Sequence, residues 1–283
     1  MKTGFIGQGF IGKNYSDDLE KRGFGVVRYA LEEPYNKNLE ELKQCDVVFI
    51  AVPTPTTPNG FDSSIVRDVI RLVKKGATAV IKSTLAVGST EILQKENPDI
   101  FVLHSPEFLS VATAAEDAAH PDRNIIGIPV DNEEYRKRAE EVLAVLPEAP
   151  YTVICNAKTA ELIKHSHNAY GYVNVVYTNL LYDLAVKLGV EWDVIKEAME
   201  ADPMISNQYL NPIHKSGRGA GGACFIKDFE SFIRMYEKAV GDISGINALK
   251  GIREKNIDLL INSKKDLPLL EGVYGDLAKR NIQ

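Results

Sequence analysis

Thr3-Gly4-Phe5-Ile6-Gly7-Gln8-Gly9-Phe10-Ile11-Gly12 is a short apolar strand pattern that runs into G-x-G-x-x-G. Lys13 to Lys21 follows with helical spacing of Tyr15 and Leu19. Strand before and helix after is the setting in which this pattern binds a dinucleotide. Glycine permits the tight turn, and a pyrophosphate can then rest on the N–H groups at the helix N-terminus. Gly7, Gly9, Phe10, Ile11 and Gly12 are therefore the first candidate cofactor residues.

Working outward, Gly25-Val26-Val27-Arg28-Tyr29-Ala30 reads as the second strand. An acid at its end would hold the adenosine ribose, but Ala30 stands there. Glu32 or Glu33 could replace it from the loop. Arg28 would suit a 2′-phosphate, so NAD and NADP both stay open as cofactors. Asp46 to Val52 is a third strand, stopped by Pro53-Thr54-Pro55-Thr56. Ser64 to Lys75 has helical spacing. The strand Thr78 to Lys82 runs into Ser83-Thr84-Leu85-Ala86-Val87-Gly88, and the strand Phe101 to His104 delivers Ser105-Pro106-Glu107-Phe108-Leu109. Such alternation implies an α/β fold, a Rossmann-type doubly wound parallel sheet with its ligand along the C-terminal strand edge. Val52, Pro53, Thr54, Ser83 and Thr84 lie at that edge and join the cofactor set.

From Ala157 the pattern changes. Thr159 to Leu188 has no proline and a single glycine, Gly171. At 1.5 Å per residue such a helix spans roughly 45 Å, enough to form the spine of a second domain. Further helices are expected over Trp192 to Glu200, Asp228 to Val240 and Ile243 to Ile261. The division expected is a dinucleotide-binding domain at 1–154, a mainly helical domain at 155–263 and a lightly packed tail at 264–283. A long helix with apolar faces implies a homodimer. Lys164 and Asn168, four apart, share a face of it. His165 and His167, two apart, do not, which argues against a metal pair; no metal site is expected.

Gly217-Arg218-Gly219-Ala220-Gly221-Gly222-Ala223-Cys224-Phe225-Ile226-Lys227-Asp228 places four glycines ahead of a thiol, a cation and a carboxylate. Room for a substrate, then a thiolate favoured by a helix N-terminus or a nearby cation, is what covalent chemistry on a carbonyl requires. The other two cysteines, Cys45 and Cys155, are distant and form no C-x-x-C pair, so a reducing cytoplasm is expected. A net charge of −6 gives no electrostatic reason for a nucleic-acid partner. No apolar run is long enough to cross a bilayer, and the opening strand leaves no room for a signal peptide.

Together these segments resemble the UDP-glucose/GDP-mannose dehydrogenase family. The resemblance rests on Gly7-x-Gly9-x-x-Gly12, Val52-Pro53-Thr54-Pro55, Ser83-Thr84 with Val87-Gly88, and Ser105-Pro106-Glu107-Phe108-Leu109. Pro121-Asp122-Arg123, Ala160-Glu161-Leu162-Ile163-Lys164 with Asn168, and Gly221-Gly222-x-Cys224-Phe225-x-Lys227-Asp228 complete it, all in family order. It implies oxidation of a primary alcohol to a carboxylate with two NAD molecules. By resemblance, Cys224 is the nucleophile, Lys164 the oxyanion stabiliser and Asn168 its neighbour on the same oxygen or the sugar. Asp228 with Thr84 and a water takes the hydroxyl proton, and Glu107 is the base for thioester hydrolysis.

Departures are Ala30, Val111-Ala112 in place of Glu-Gly, Ala223 in place of Ser and Ile226 in place of Pro. The family's third domain, which holds the nucleotide, would begin about where these residues stop. The expected substrate is therefore a nucleotide sugar or a smaller sugar derivative; a natural short form, whose third domain a separate polypeptide supplies, and a truncated chain both stay open. Two other readings follow from the same residues. One is a non-catalytic dinucleotide-binding remnant or partner subunit. The other is a 3-hydroxyacid-dehydrogenase-type enzyme, which shares the Lys and Asn spacing but needs no thiol.

Overall fold

The structure, a computed structural model, describes residues 1–276. The strands in chain order are β1 (Thr3–Ile6), β2 (Val26–Tyr29), β3 (Val47–Ile50), β4 (Thr56–Thr57), β5 (Gly60–Phe61), β6 (Thr78–Ile81), β7 (Phe101–His104), β8 (Arg123–Ile128), β9 (Tyr151–Asn156), β10 (Ile213–His214) and β11 (Gly217–Arg218). The first helices are α1 (Phe10–Lys21), α2 (Leu39–Leu42), α3 (Ser64–Ile70), α4 (Ser89–Glu96), α5 (Ala114–Ala119) and α6 (Glu133–Leu143). After them come α7 (Ala157–Leu188), α8 (Trp192–Glu200), α9 (Gly222–Ala239), α10 (Ile243–Asn262) and α11 (Leu267–Tyr274). The chain divides into two compact units, Met1–Thr54 with Asp62–Lys164, and Pro55–Phe61 with the chain from His165 onward.

In the first unit seven strands form one sheet in the order β2-β1-β3-β6-β7-β8-β9. β1, β3 and β6 are buried along their whole length, which is why they read as unbroken apolar runs and not as alternation. Phe5 of β1 stacks on Phe49 of β3 at 4.8 Å, anchoring a core that includes Tyr15, Leu19, Val80, Leu103 and Ile126. Pairing is parallel from β2 through β7, as the sequence implies. β8 then pairs antiparallel to β7, and β9 runs parallel to β8. The last two strands therefore depart from the all-parallel sheet expected. The link between them carries α5 against α1 and does not cross back, so β8 enters from the edge at which β7 leaves. α6 does make such a crossover. Asn132 starts it by accepting a hydrogen bond from the Tyr135 amide at 2.9 Å, and Glu133 and Glu134 occupy its first turn.

α7 is continuous over 32 residues. Its first turns belong to the sheet, because Gly127 of β8 lies against Ala157 and Ala160, where a Cβ would come within 2.7 Å of the Ala160 methyl. It stops at Gly189, which takes a φ of +69°; the Gly189 amide bonds to Val186 O and the Val190 amide to Ala185 O, closing a Schellman cap.

The second unit is built on two apolar clusters. Tyr172 of α7 stacks on Phe229 of α9 at 3.9 Å, with Ala169, Val176 and Ile233 around them. The other joins Ile226, Ile257, Leu260 and Ile261 to Leu270, Val273 and Tyr274 of α11. The β4–β5 hairpin belongs to this unit too, with Arg234 Nη1 donating to Thr57 O at 2.8 Å. The segment after Ser263 is thus not a lightly packed end: Pro268 falls in the first turn of α11, where proline starts a helix, and residues behind it are buried. Residues 277–283 of the expected tail lie outside the described residues. Among the described residues no helix is long and apolar enough to cross a membrane.

Leu270, 1% exposed, gives the direct test of that packing. Leu270→Ala should lower stability in urea unfolding by about 2–5 kcal/mol. A shift within about 0.5 kcal/mol, the range of a surface change, would return α11 to the status of a tail.

Candidate active site

At the head of α1 the three motif glycines have three different surroundings. Gly7 has φ +90°, and a Cβ there would strike Ala51 O. A Cβ on Gly12 would strike Gly7 O, so the helix can approach the turn only without one. Gly9 faces open space, with nothing within 4 Å of its ideal Cβ, and as the N-cap it offers no side chain to the first-turn N–H groups. That opening is the cradle a diphosphate fills, and the residues present fit a dinucleotide. Phe10 is exposed and Ile11 half-buried beside it.

The loops after β3 and β6 are joined by Ser83. Its Oγ accepts from the Val52 amide at 2.9 Å and donates to Val52 O at 2.7 Å, so this hydroxyl holds the two strand ends together. Thr54 and Thr84 are buried and Pro53 is exposed. Arg28 is committed elsewhere. Its guanidinium grips Glu20 at 2.9 and 2.6 Å and Asp17 at 2.7 Å. Partial burial opposes its charge, but these bonds prevail and push its pKa above the ordinary value. The guanidinium that would meet a 2′-phosphate is thus engaged by α1, in keeping with the NAD-binding domain of the family.

Still within the first unit, Lys164 and Glu107 form a buried pair. Lys164 Nζ donates to Glu107 Oε1 at 2.9 Å and to Glu107 O at 2.7 Å, while the Leu109 amide donates to Oε2 at 2.8 Å. Phe108 lies under two cations, Lys164 Nζ at 5.4 Å and Arg123 Cζ at 3.9 Å from its ring centre. Glu161, one turn before Lys164, accepts from the Gly88 amide at 2.5 Å, the Thr90 amide at 2.8 Å and Thr90 Oγ1 at 2.6 Å. It therefore caps α4, and it explains why the Val87-Gly88 and Ala160-Glu161 motifs occur together. Burial raises its pKa, with the Thr90 and Gly88 bonds acting against that rise.

Lys82, read from the sequence only as a strand end, is buried in this unit. Its Nζ donates to Ser105 Oγ at 3.2 Å and Ser105 O at 3.3 Å and sits 4.2 Å over the Tyr15 ring. Burial pushes its ammonium down to about 7, with the charge of Glu107 pulling the other way. An alternating strand would place a terminal lysine in solvent; only the two-sided burial of β6 reveals the difference.

In the second unit Asn168 Nδ2 donates to Asp228 Oδ2 at 2.5 Å, and Lys227 Nζ meets Asp228 Oδ1 at 2.6 Å. Asp228 is fully buried. Cys224 is exposed on the first turn of α9, four residues before Asp228 and so on the same helix face. Gly171 permits this packing, since a Cβ there would come within 2.7 Å of Phe225 Cζ. The sequence-predicted residues are thus gathered as Lys164 with Glu107, and as Asn168 with Asp228 and Cys224.

A dinucleotide turn on a Rossmann-type sheet, followed by a helical unit carrying an exposed thiol, defines an NAD-binding dehydrogenase architecture. The chain belongs to the UDP-glucose/GDP-mannose dehydrogenase family, whose NAD-binding domain matches residues 31–146 and whose central domain matches residues 158–256. It is similar to the UDP-glucose 6-dehydrogenase YwqF of Bacillus subtilis, with 27% identity over 92% of this chain and 59% of that protein. Among solved structures it resembles a UDP-glucose dehydrogenase of Pyrobaculum islandicum, with a TM-score of 0.75, 25% identity, and 95% and 70% of the two chains covered. The 3-hydroxyisobutyrate dehydrogenase of Mycobacterium tuberculosis shares the fold, with a TM-score of 0.69, 18% identity, and 89% and 91% covered. The chain spans about three fifths of the length of the curated UDP-glucose 6-dehydrogenase, 59%.

Lys82 gives a pH dependence of definite sign. Below about 7 folded and unfolded chains both carry the ammonium, and the folded state bears its burial. From about 7 to the ordinary value of 10.5 the unfolded chain binds more protons, so stability rises with pH. Tyr15 and Glu107 face the same ammonium and remain in both proteins compared. Lys82→Met should therefore gain less stability than the parent between pH 7 and about 10 in urea unfolding. Parallel curves would remove Lys82 from the account.

Proposed function

We propose that the protein is an NAD-dependent dehydrogenase that oxidises the primary alcohol of a nucleotide sugar, or of a smaller sugar derivative, to the carboxylate. The observation that carries this reading is the exposed Cys224 on the first turn of α9, one turn before the buried Asp228 that Asn168 holds. A helix N-terminus favours the thiolate over the thiol.

The residues divide the work as follows. Gly7, Gly9 and Gly12 would hold the NAD diphosphate, and NAD when bound supplies the hydride acceptor for each of the two oxidations. Asp228, with Thr84 and a water, takes the proton of the alcohol as the first two electrons leave, giving an aldehyde. The Cys224 sulfur then forms a bond to the aldehyde carbon, and the carbonyl oxygen becomes the alkoxide of a thiohemiacetal. Lys164 and Asn168 stabilise that negative oxygen. Loss of the second electron pair leaves a thioester on Cys224. Glu107 draws a proton from water, which adds to the thioester and expels the thiolate as the free acid forms. Four electrons leave the sugar, and the cysteine returns unchanged.

Such a nucleophile needs a reducing compartment, which supports a cytoplasmic location. A homodimer is supported by the solvent face of α7, where Tyr170, Tyr177, Leu180, Leu184 and Leu188 follow one another at helical spacing and are all exposed.

With saturating NAD and a panel of UDP- and GDP-sugars, the protein should form two NADH per sugar oxidised. Cys224→Ser should abolish the second oxidation, cutting acid formation by at least about a thousandfold. Release of one NADH with full activity in Cys224→Ala would favour the 3-hydroxyacid type instead. No turnover on any sugar, with nucleotide still bound in calorimetry, would favour the non-catalytic remnant.

The dimer is checked separately by sedimentation velocity. The parent should sediment as a dimer and Leu180→Glu/Leu184→Glu as a folded monomer. A monomeric parent at micromolar concentration would remove the dimer.

A further inference from the structure

The glycines before Cys224 read from the sequence as space for a substrate, but at three of them another segment of the same unit fills that space. A Cβ on Gly217 would come within 2.5 Å of Ser263 Oγ, and one on Gly219 within 3.0 Å of Asn256 Oδ1. One on Gly221 would strike Asp266 Oδ2 and come within 2.8 Å of Lys265 Cε. The backbone polar groups of the loop go to the same four residues. Asn256 takes both groups of Ala220, accepting from its amide at 2.6 Å and donating to its carbonyl at 3.0 Å. Ser263 Oγ accepts from the Arg218 amide at 3.1 Å while donating its own proton to Leu259 O of α10 at 2.7 Å. Lys265 Nζ donates to Gly219 O at 2.8 Å, and Asp266 Oδ2 accepts from the Gly222 amide at 2.7 Å.

That last bond lies at the start of α9. The N-cap, Gly221, has no side chain for the helix, and Asp266 provides the acceptor from another element. Two residues of the clamping turn, Lys264 at φ +55° and Asp266 at φ +53°, lie in the left-handed region that a Cβ disfavours. A strained turn persists where its surroundings hold it, and such turns concentrate at functional sites. Ser263, Lys265 and Asp266 also lie past residue 256, where the family match ends.

We propose that Asn256, Ser263, Lys265 and Asp266 are positioning residues that clamp the 217–222 loop and fix the first turn of α9, and thereby the direction in which Cys224 presents its sulfur. The proposal rests on the reading of Cys224 as the nucleophile. The clamp works on backbone groups, so it sets geometry without touching a substrate. Placement of a nucleophile within a fraction of an ångström decides how often a bound carbonyl meets it. The consequence is a demand on kcat and not on KM for NAD.

Asp266→Ala, Asp266→Asn and Ser263→Ala are compared with the parent by amide hydrogen exchange of the peptide spanning 217–224, and by kcat and KM with the sugar nucleotide that turns over. Asp266→Ala should speed exchange in that peptide about tenfold and lower kcat about tenfold with KM for NAD unchanged. Asp266→Asn keeps an acceptor and should restore both towards the parent. Ser263→Ala should speed exchange in the same peptide by a smaller factor, and it carries the test if Asp266→Ala does not fold. Unchanged exchange at 217–224 in folded Asp266→Ala or Ser263→Ala would overturn the clamp, as would acceleration spread evenly through α10 and α11. If exchange responds as expected while no sugar nucleotide is turned over by the parent, the dehydrogenase reading fails and the clamp stands.

Discussion

A charge withdrawn from water must meet a partner, and α7 is the element on which that constraint falls hardest. Glu161, Lys164 and Asn168 occupy successive turns and are nearly inaccessible. Each is answered by a different stretch of sequence: Glu161 by the amides that begin α4, Lys164 by Glu107, Asn168 by Asp228. An unpaired ion at Glu161 or Lys164, or an unanswered Asp228 carboxylate facing Asn168, would cost several kcal/mol, so the three pairings fix which segments can lie against the helix. The apolar clusters supply most of the driving force for collapse, but they tolerate substitution of one hydrophobe for another. The polar face of α7 does not, and it determines where Glu107 and Asp228 are held.

The fold was largely readable because its strands are buried on both sides and its first turn is a dinucleotide motif. Val47 to Ile50 and Thr78 to Ile81 have no period-two pattern to mistake, and Pro53 marks the exit of the first. The reversal at β8 was not readable. It is a matter of strand pairing, His104 against Gly127, that no local pattern in either strand specifies. Nor was the burial of α11, since Lys-Lys-Asp-Leu-Pro has the composition of a linker and only the tertiary position of Leu270 and Val273 makes it a core element.

Among site residues, those on motifs were visible and their pairings were not. Lys164 and Glu107 are 57 positions apart, and nothing in either motif names the other. Arg28 stays open in the sequence because a cation on a second strand has one informative use and one ordinary one, and its ion pairs with Glu20 and Asp17 are long-range facts no motif prints. Lys82 was passed over for the opposite reason, since a lysine ending a strand is expected in solvent and here the strand is central. The glycines at 217, 219 and 221 read in the sequence as room for a ligand, and Gly219 does take a positive φ, +90°. Their missing Cβ atoms admit the chain itself.

The two buried clusters differ in what their arrangement can supply. A buried ion pair such as Lys164 with Glu107 adds little to stability, because desolvation of both ions offsets their attraction; apolar residues of similar volume would do as well or better. What apolar residues could not supply is a fixed ammonium and a fixed carboxylate that need no reorganisation when charge develops nearby. Cys224 follows the reverse logic, since it is exposed on a first helical turn and so open to an incoming carbonyl. The direction of its sulfur follows the backbone of that turn, which Asp266 holds at the Gly222 amide. On the chemistry proposed, ordering of the loop before the cysteine is therefore as necessary as the cysteine, and it is the step that a motif of small residues cannot encode by itself.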